Sequence, residues 1–117
     1  MNKIHLISAE SLTKPDILSI FSTASSFKQT FQSSSKKLNS LQGKTIVNLF
    51  VEPSTRTRVA FEVAAKHLGA DVLHIDAGSS SLTKGESLRD TALTIKALDA
   101  DAICIRHPHP GAAQYIS

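Results

Sequence analysis

The chain has 117 residues, 41% of them apolar and 20% charged, with 13 basic against 10 acidic side chains and one cysteine. This composition excludes intrinsic disorder and a disulfide or cysteine-rich metal framework, and the length leaves room for one domain burying about two-thirds of its unfolded surface. No stretch nears the ~20 apolar residues of a bilayer span, and the apolar part of Met1 to Glu10 is too short for a secretory signal, so no membrane partner is expected.

The first strong period is Ile17, Phe21, Ala24, Phe27 and Phe31, an apolar stripe at helical spacing that begins after Thr13, Pro15 and Asp16. A polar run from Gln32 to Ser40 ends it, and Gly43 closes a turn. Thr45 to Val51 is a short apolar run rich in β-branched residues, as expected of a strand buried on both faces. Glu52-Pro53-Ser54-Thr55-Arg56-Thr57-Arg58 follows, then a helical pattern in Val59, Val63, Ala64 and Leu68 that Gly69 stops. Asp71 to Asp76 reads as a second strand. A glycine- and serine-rich loop, Gly78 to Ser81, leads to a helix with Leu88, Thr91, Ala92, Ile95 and Leu98, and Asp101 to Ile105 reads as a third strand.

Strands alternating with helices at this spacing predict an α/β fold, a parallel sheet with flanking helices joined by right-handed βαβ units. Ligands of such sheets bind beyond the carboxyl ends of the strands. Ser54 to Thr57 and Arg106 stand directly after the first and third strands, so they are expected to meet in one crevice. The first amides of a helix lack internal partners and carry its positive dipole end; hydroxyls and guanidinium groups around them suit a phosphate. On the residues alone, a second possibility stays open: Ser54 is an ordinary helix cap and the arginines are solvated charges.

The run Glu52 to Arg58, continuing through Phe61-Glu62 and Leu68-Gly69-Ala70, resembles the signature of the carbamoyltransferases. Lys84-Gly85-Glu86-Ser87-Leu88, Asp90-Thr91 and Arg106-His107-Pro108 with Gly111-Ala112 extend the match, which runs from about His5 to the last residue. Glu52 before the Pro-Ser-Thr-Arg-Thr-Arg run, the Lys-Gly-Glu triplet and Arg-His-Pro are similar to the aspartate-specific branch; the ornithine enzymes usually carry a lysine and an arginine at the first two places.

The resemblance implies the first domain of the aspartate/ornithine carbamoyltransferase fold and a reaction between carbamoyl phosphate and L-aspartate in pyrimidine biosynthesis. Ser54, Thr55, Arg56 and Thr57 would hold the phosphate of carbamoyl phosphate. Arg106 would reach both phosphate and carbonyl oxygen, with Thr57 near that oxygen, so that Arg56, Thr57 and Arg106 form the implied catalytic set. Ser81 and Lys84 would reach the neighbouring subunit's site in a homotrimer, and Glu52 would bridge to a second domain on closure. Arg58 is expected to be a structural ion-pair partner. No cofactor or metal is implied; regulatory or dihydroorotase partners and a cytoplasmic location are further implications.

Three decoys stand in the sequence. Gly43-Lys44-Thr45 mimics the end of a phosphate-binding P-loop, but Leu38 replaces the required glycine and the triplet precedes a strand instead of following one. His107 and His109 resemble a metal-binding or catalytic pair, whereas the family's catalytic histidine belongs to a later His-Pro motif without counterpart here. Cys104 is expected to be an inert strand residue. The expected organisation is a truncated N-terminal carbamoyl-phosphate-binding domain over residues 1–117, with the aspartate-binding domain absent from this chain and no catalysis by the chain alone. The competing readings are a non-catalytic phosphate-binding or scaffolding homologue and another carbamoyltransferase such as the ornithine enzyme. Nucleic-acid binding is disfavoured by 5% aromatic content and a scattered net charge of +3.

Overall fold

A computed structural model describes residues 5–32, 38–51, 54–76, 88–108 and 110–117. The chain divides into two compact units, residues 1–36 with Ser117 and residues 37–116.

The first unit is essentially one helix, α1, Lys14–Gln32. Its start is a reciprocal cap. The Asp16 amide donates to Thr13 Oγ1 at 3.3 Å and the Thr13 amide donates to Asp16 Oδ2 at 3.0 Å. Two otherwise orphaned donors are thereby satisfied. The expected stripe is present as geometry, and Phe27 stacks on Phe31 with ring centroids 6.2 Å apart. It is not a core: no residue of α1 is fully buried, and Phe21 remains 63% exposed.

The second unit is a three-stranded parallel sheet of order β2-β1-β3, built from β1 (Thr45–Phe50), β2 (Asp71–Asp76) and β3 (Ala102–Arg106). Helices α2 (Thr55–His67) and α3 (Leu88–Ala97) follow β1 and β2, and α4 (Ala112–Ile116) follows β3. The α/β expectation therefore holds. Residues Ile46 to Phe50 are all buried, because β1 is central and covered on both faces. One face packs Ile46 against Ala65 and Ala70, the other packs Val47 and Leu49 against Ile95 of α3. Asn48 interrupts this apolar run. It is completely buried, and its amide makes no hydrogen bond to any described residue.

The face that α2 turns to the sheet differs from the expected one. Val59 and Val63 are exposed, and the inner stripe is Arg58, Glu62 and Ala65. Polar side chains at two of three inner positions hide the stripe from an apolar-period count. The helix stop is as expected. Gly69 has φ +91°, its amide donates to the Lys66 carbonyl, and the Ala70 amide donates to the Ala65 carbonyl, which closes a Schellman cap. Leu98, expected on the inner side of α3, is exposed just past its end, while Thr91 and Ile95 are buried. The third strand begins one residue later than expected, because Asp101 is spent on the turn: its carboxylate accepts from the Thr45 amide at 2.9 Å.

Candidate functional site

The strand order sets the site. With β1 between β2 and β3, α2 covers one face and α3 the other, so the chain parts at the carboxyl ends of β1 and β3. A crevice at this switch point is where α/β sheets bind ligands. Phe50 and Arg106 are register partners, and the Val51 amide continues the ladder by donating to the Arg106 carbonyl at 2.8 Å.

Ser54 occupies the N-cap position of α2, and its carbonyl accepts from the Arg58 amide at 2.9 Å. Its hydroxyl makes no capping bond. Instead it accepts from Arg106 Nη1 at 3.1 Å. Ser54 is thus an N-cap by position but not through its side chain. The Ser54 hydroxyl therefore leaves untaken the amides at the helix start that a capping hydroxyl would have bonded. The first turn of α2 contains no acidic residue, although acids are favoured there by the dipole, and Thr55 and Arg56 are exposed. Helix-start amides, hydroxyls and the Arg106 guanidinium thus meet at one positive end, an arrangement chemically suited to a tetrahedral oxyanion.

Ser54 and Arg106 are brought into contact, and Thr55, Arg56 and Thr57 form the adjoining turn of α2. Arg58 is half-buried and pairs with no carboxylate among the described residues, so the expected ion pair is not formed there. Glu52, Ser81 and Lys84 lie outside the described residues, as does His109. Lys44 and Thr45 serve the strand starts at the opposite end of the sheet, with Lys44 Nζ 4.0 Å from Asp101 Oδ1, which removes the P-loop decoy. Cys104 is half-buried, and burial raises its thiol above the usual range, in keeping with an unreactive role.

One cluster was not expected. Glu62 Oε1 lies 2.6 Å from His74 Nε2, and Lys66 Nζ donates to Glu62 Oε2 at 3.0 Å. The hydrogen bond from Lys66, with that from His74 next, holds the Glu62 carboxyl below its ordinary range. An ionised carboxylate only accepts, so His74 Nε2 carries the proton in this contact. Glu62 and His74 are 12 residues apart, and only the β2 register brings them together.

Residues 4–117 match the family model described as aspartate/ornithine carbamoyltransferase, carbamoyl-P binding domain. The chain belongs to that family. It is 56% identical over 113 residues to the aspartate carbamoyltransferase catalytic subunit of Opitutus terrae, a match covering 97% of this chain and 36% of the relative. Among solved structures, the catalytic subunit of M. jannaschii aspartate transcarbamoylase superposes with a TM-score of 0.87 at 41% identity, over 97% of this chain and 37% of that one. The Trypanosoma cruzi aspartate transcarbamoylase, solved with carbamoyl phosphate and aspartate, gives 0.84 at 34% identity, over 93% and 34%. The chain therefore spans little more than a third of the relatives it matches, and the shared part is the parallel sheet with its flanking helices.

Proposed function

We propose that this chain provides the carbamoyl-phosphate half of an aspartate carbamoyltransferase, which moves the carbamoyl group to the amino group of L-aspartate and releases phosphate and N-carbamoyl-L-aspartate for pyrimidine biosynthesis. The observation that carries this is the Ser54 hydroxyl turned from its own helix toward Arg106. The names of the relatives, and the carbamoyl phosphate bound by the T. cruzi enzyme, support the same substrates.

In this reading the amides and hydroxyls of Ser54, Thr55 and Thr57 and the guanidinium of Arg56 hold the phosphate. Arg106 spans phosphate and carbonyl oxygen, with Thr57 beside that oxygen. As the aspartate amine adds to the carbonyl carbon, negative charge builds on that oxygen. Donors already aimed at it lower the barrier, one donor being worth about 10²–10³ in rate. The tetrahedral adduct then collapses: the C–O bond to phosphate breaks, and the phosphate dianion leaves into the cationic helix end. The amine proton passes to the departing phosphate, which therefore leaves as the hydrogen phosphate dianion.

Residues 1–117 form the phosphate-holding domain, and most of the aspartate site lies outside them. The working assembly is a cytoplasmic homotrimer in which Ser81 and Lys84 reach the neighbouring site and Glu52 takes part in domain closure; regulatory or dihydroorotase partners would attach to that trimer. Crystals grown with phosphate test the site: an ion on the amides of Thr55, Arg56 and Thr57 supports it, and a loop left empty with the ion elsewhere overturns it. Sedimentation of the longer enzyme tests the trimer, and a stable monomer removes it.

A further inference from the structure

Two polar contacts hold α2 to the strands on either side of β1. On the β3 side the Ser54 hydroxyl meets Arg106, and on the β2 side the Glu62 carboxylate meets His74. We propose that Glu62 is a positioning residue for the anion site: by bonding His74 it sets the tilt of α2 across the sheet, and so the place of the Thr55–Thr57 amides relative to Arg106. This rests on the phosphate reading of that site.

The apolar hold on α2 is thin. Ala65 packs on Ile46 and Ala70 toward the helix C-terminus, and an alanine buries little area with which to fix an angle. Nearer the N-terminus, Phe61 meets Phe50 through a tilted ring contact at 6.4 Å, but Phe61 is itself 48% exposed. Glu62 lies between these contacts, on the inner stripe. An ordinary surface glutamate would pair with Lys66 one turn on and point to solvent. This one uses its second oxygen to reach a strand, at 2.6 Å, with its side chain only 23% exposed. His74 is a firm post, because β2 is paired to β1 over all six of its residues. Lys66 fixes the carboxylate rotamer from the solvent side.

Seven residues, about two turns or ~10 Å of helix, separate Glu62 from the amide of Thr55. Over that lever a tilt of about 5° displaces the helix start by about 1 Å, and misplacement on this scale costs on the order of 10² where reacting groups must align. Loss of the Glu62–His74 bond is thus expected to act at a site that neither side chain touches.

The experiment uses the full 117-residue chain, inorganic phosphate as probe in calorimetric titration, and amide hydrogen exchange. Glu62→Ala and His74→Leu, which remove the same bond from its two sides, are each expected to weaken phosphate binding about tenfold. Glu62→Gln, whose amide oxygen still accepts from His74, is expected to restore affinity to within about threefold of wild type. In the two disruptive variants the Arg58 amide, bonded to the Ser54 carbonyl, should exchange faster while the β1–β2 ladder keeps its protection. Unchanged affinity in both, a Glu62→Gln variant as weak as Glu62→Ala, or protection lost equally from the strands would overturn the proposal. Wild-type chain that takes up no phosphate would sink the site reading instead, and the exchange at Arg58 would still decide whether Glu62 positions the helix.

Discussion

The hydroxyl of Ser54 stands at the start of α2 and serves Arg106, 52 residues further along the chain, instead of the helix. The two halves of the proposed anion site therefore touch each other directly. Ser/Thr-to-Ala changes at a working N-cap cost about 0.5–2 kcal/mol, because a bonded helix amide is lost. No such bond exists here. Ser54→Ala is accordingly expected to shift stability by less than ~0.5 kcal/mol in urea denaturation while weakening phosphate binding several-fold. A full capping loss in the denaturation curve would contradict the geometry.

In the carbamoyltransferase proposed above, Arg106→Ala is expected to lower carbamoyl transfer by about 10²–10³, the usual weight of one oxyanion donor. The isolated chain, mixed with labelled carbamoyl phosphate and aspartate, is expected to give carbamoyl-aspartate only at background rate. Clear turnover would place an aspartate site within these 117 residues.

Gly69 and Asp99 occupy the same post-helical position in α2 and α3, with φ +91° and +59°. A Cβ on Gly69 would lie 3.0 Å from the Leu38 carbonyl oxygen, a main-chain atom that cannot turn aside. Gly69→Ala should therefore destabilise the fold by at least about 1–2 kcal/mol, the cost of a left-handed non-glycine residue, with the clash added. Asp99→Gly relieves the same conformation and should stabilise by a few tenths of a kcal/mol up to about 1. Thermal melts of the two variants should move in opposite directions.

Asn48 presents both ends of its amide to the buried layer between the sheet and α2 without a described partner. An unsatisfied buried polar group costs about 1–3 kcal/mol, and an apolar side chain of similar shape removes that cost. Asn48→Leu is expected to raise the urea midpoint, with a gain near 1 kcal/mol or above. A lowered midpoint would show that the amide is bonded in solution.

The Glu62 carboxyl, held below its ordinary 4.5 first by the hydrogen bond from Lys66 and then by that from His74, makes stability depend on acid. Its folded value is depressed, so the unfolded chain binds the proton more readily. The contribution is complete above about 4.5 and fades as pH falls from there through the lower folded value. Chemical denaturation from pH 6 down to pH 2 should show this loss in wild type and a flatter profile in Glu62→Gln. Identical profiles would mean that the carboxylate gains nothing from its two partners.

The strands are legible because three short apolar runs stand between turns, with Gly43 and Gly69 marking the first two starts; Asp71 to Asp76 coincides with β2 residue for residue. The inner face of α2 is not legible. Val59 and Val63 carry the apolar period, yet both face away from the sheet, and the true inner positions are Arg58 and Glu62. Nothing local marks Glu62 as a strand-binding carboxylate, since its partner depends on the β2 register. Ser54, at the start of α2, and Arg106, the last residue of β3, are legible as residues at the carboxyl ends of strands; their direct contact depends on β3 lying beside β1.

The Val51–Arg106 main-chain bond joins residues separated by most of the second unit, and it exists only once β3 has docked. Pairing of β1 with β2 closes a shorter loop than pairing of β1 with β3, and long loops close later for entropic reasons. The proposed anion cradle, which needs that docking, is therefore expected to be among the last parts of the unit to take shape. Phosphate uptake would then be a clock for folding: in a refolding mixture, or on a ribosome, ligand binding signals that the third strand has arrived.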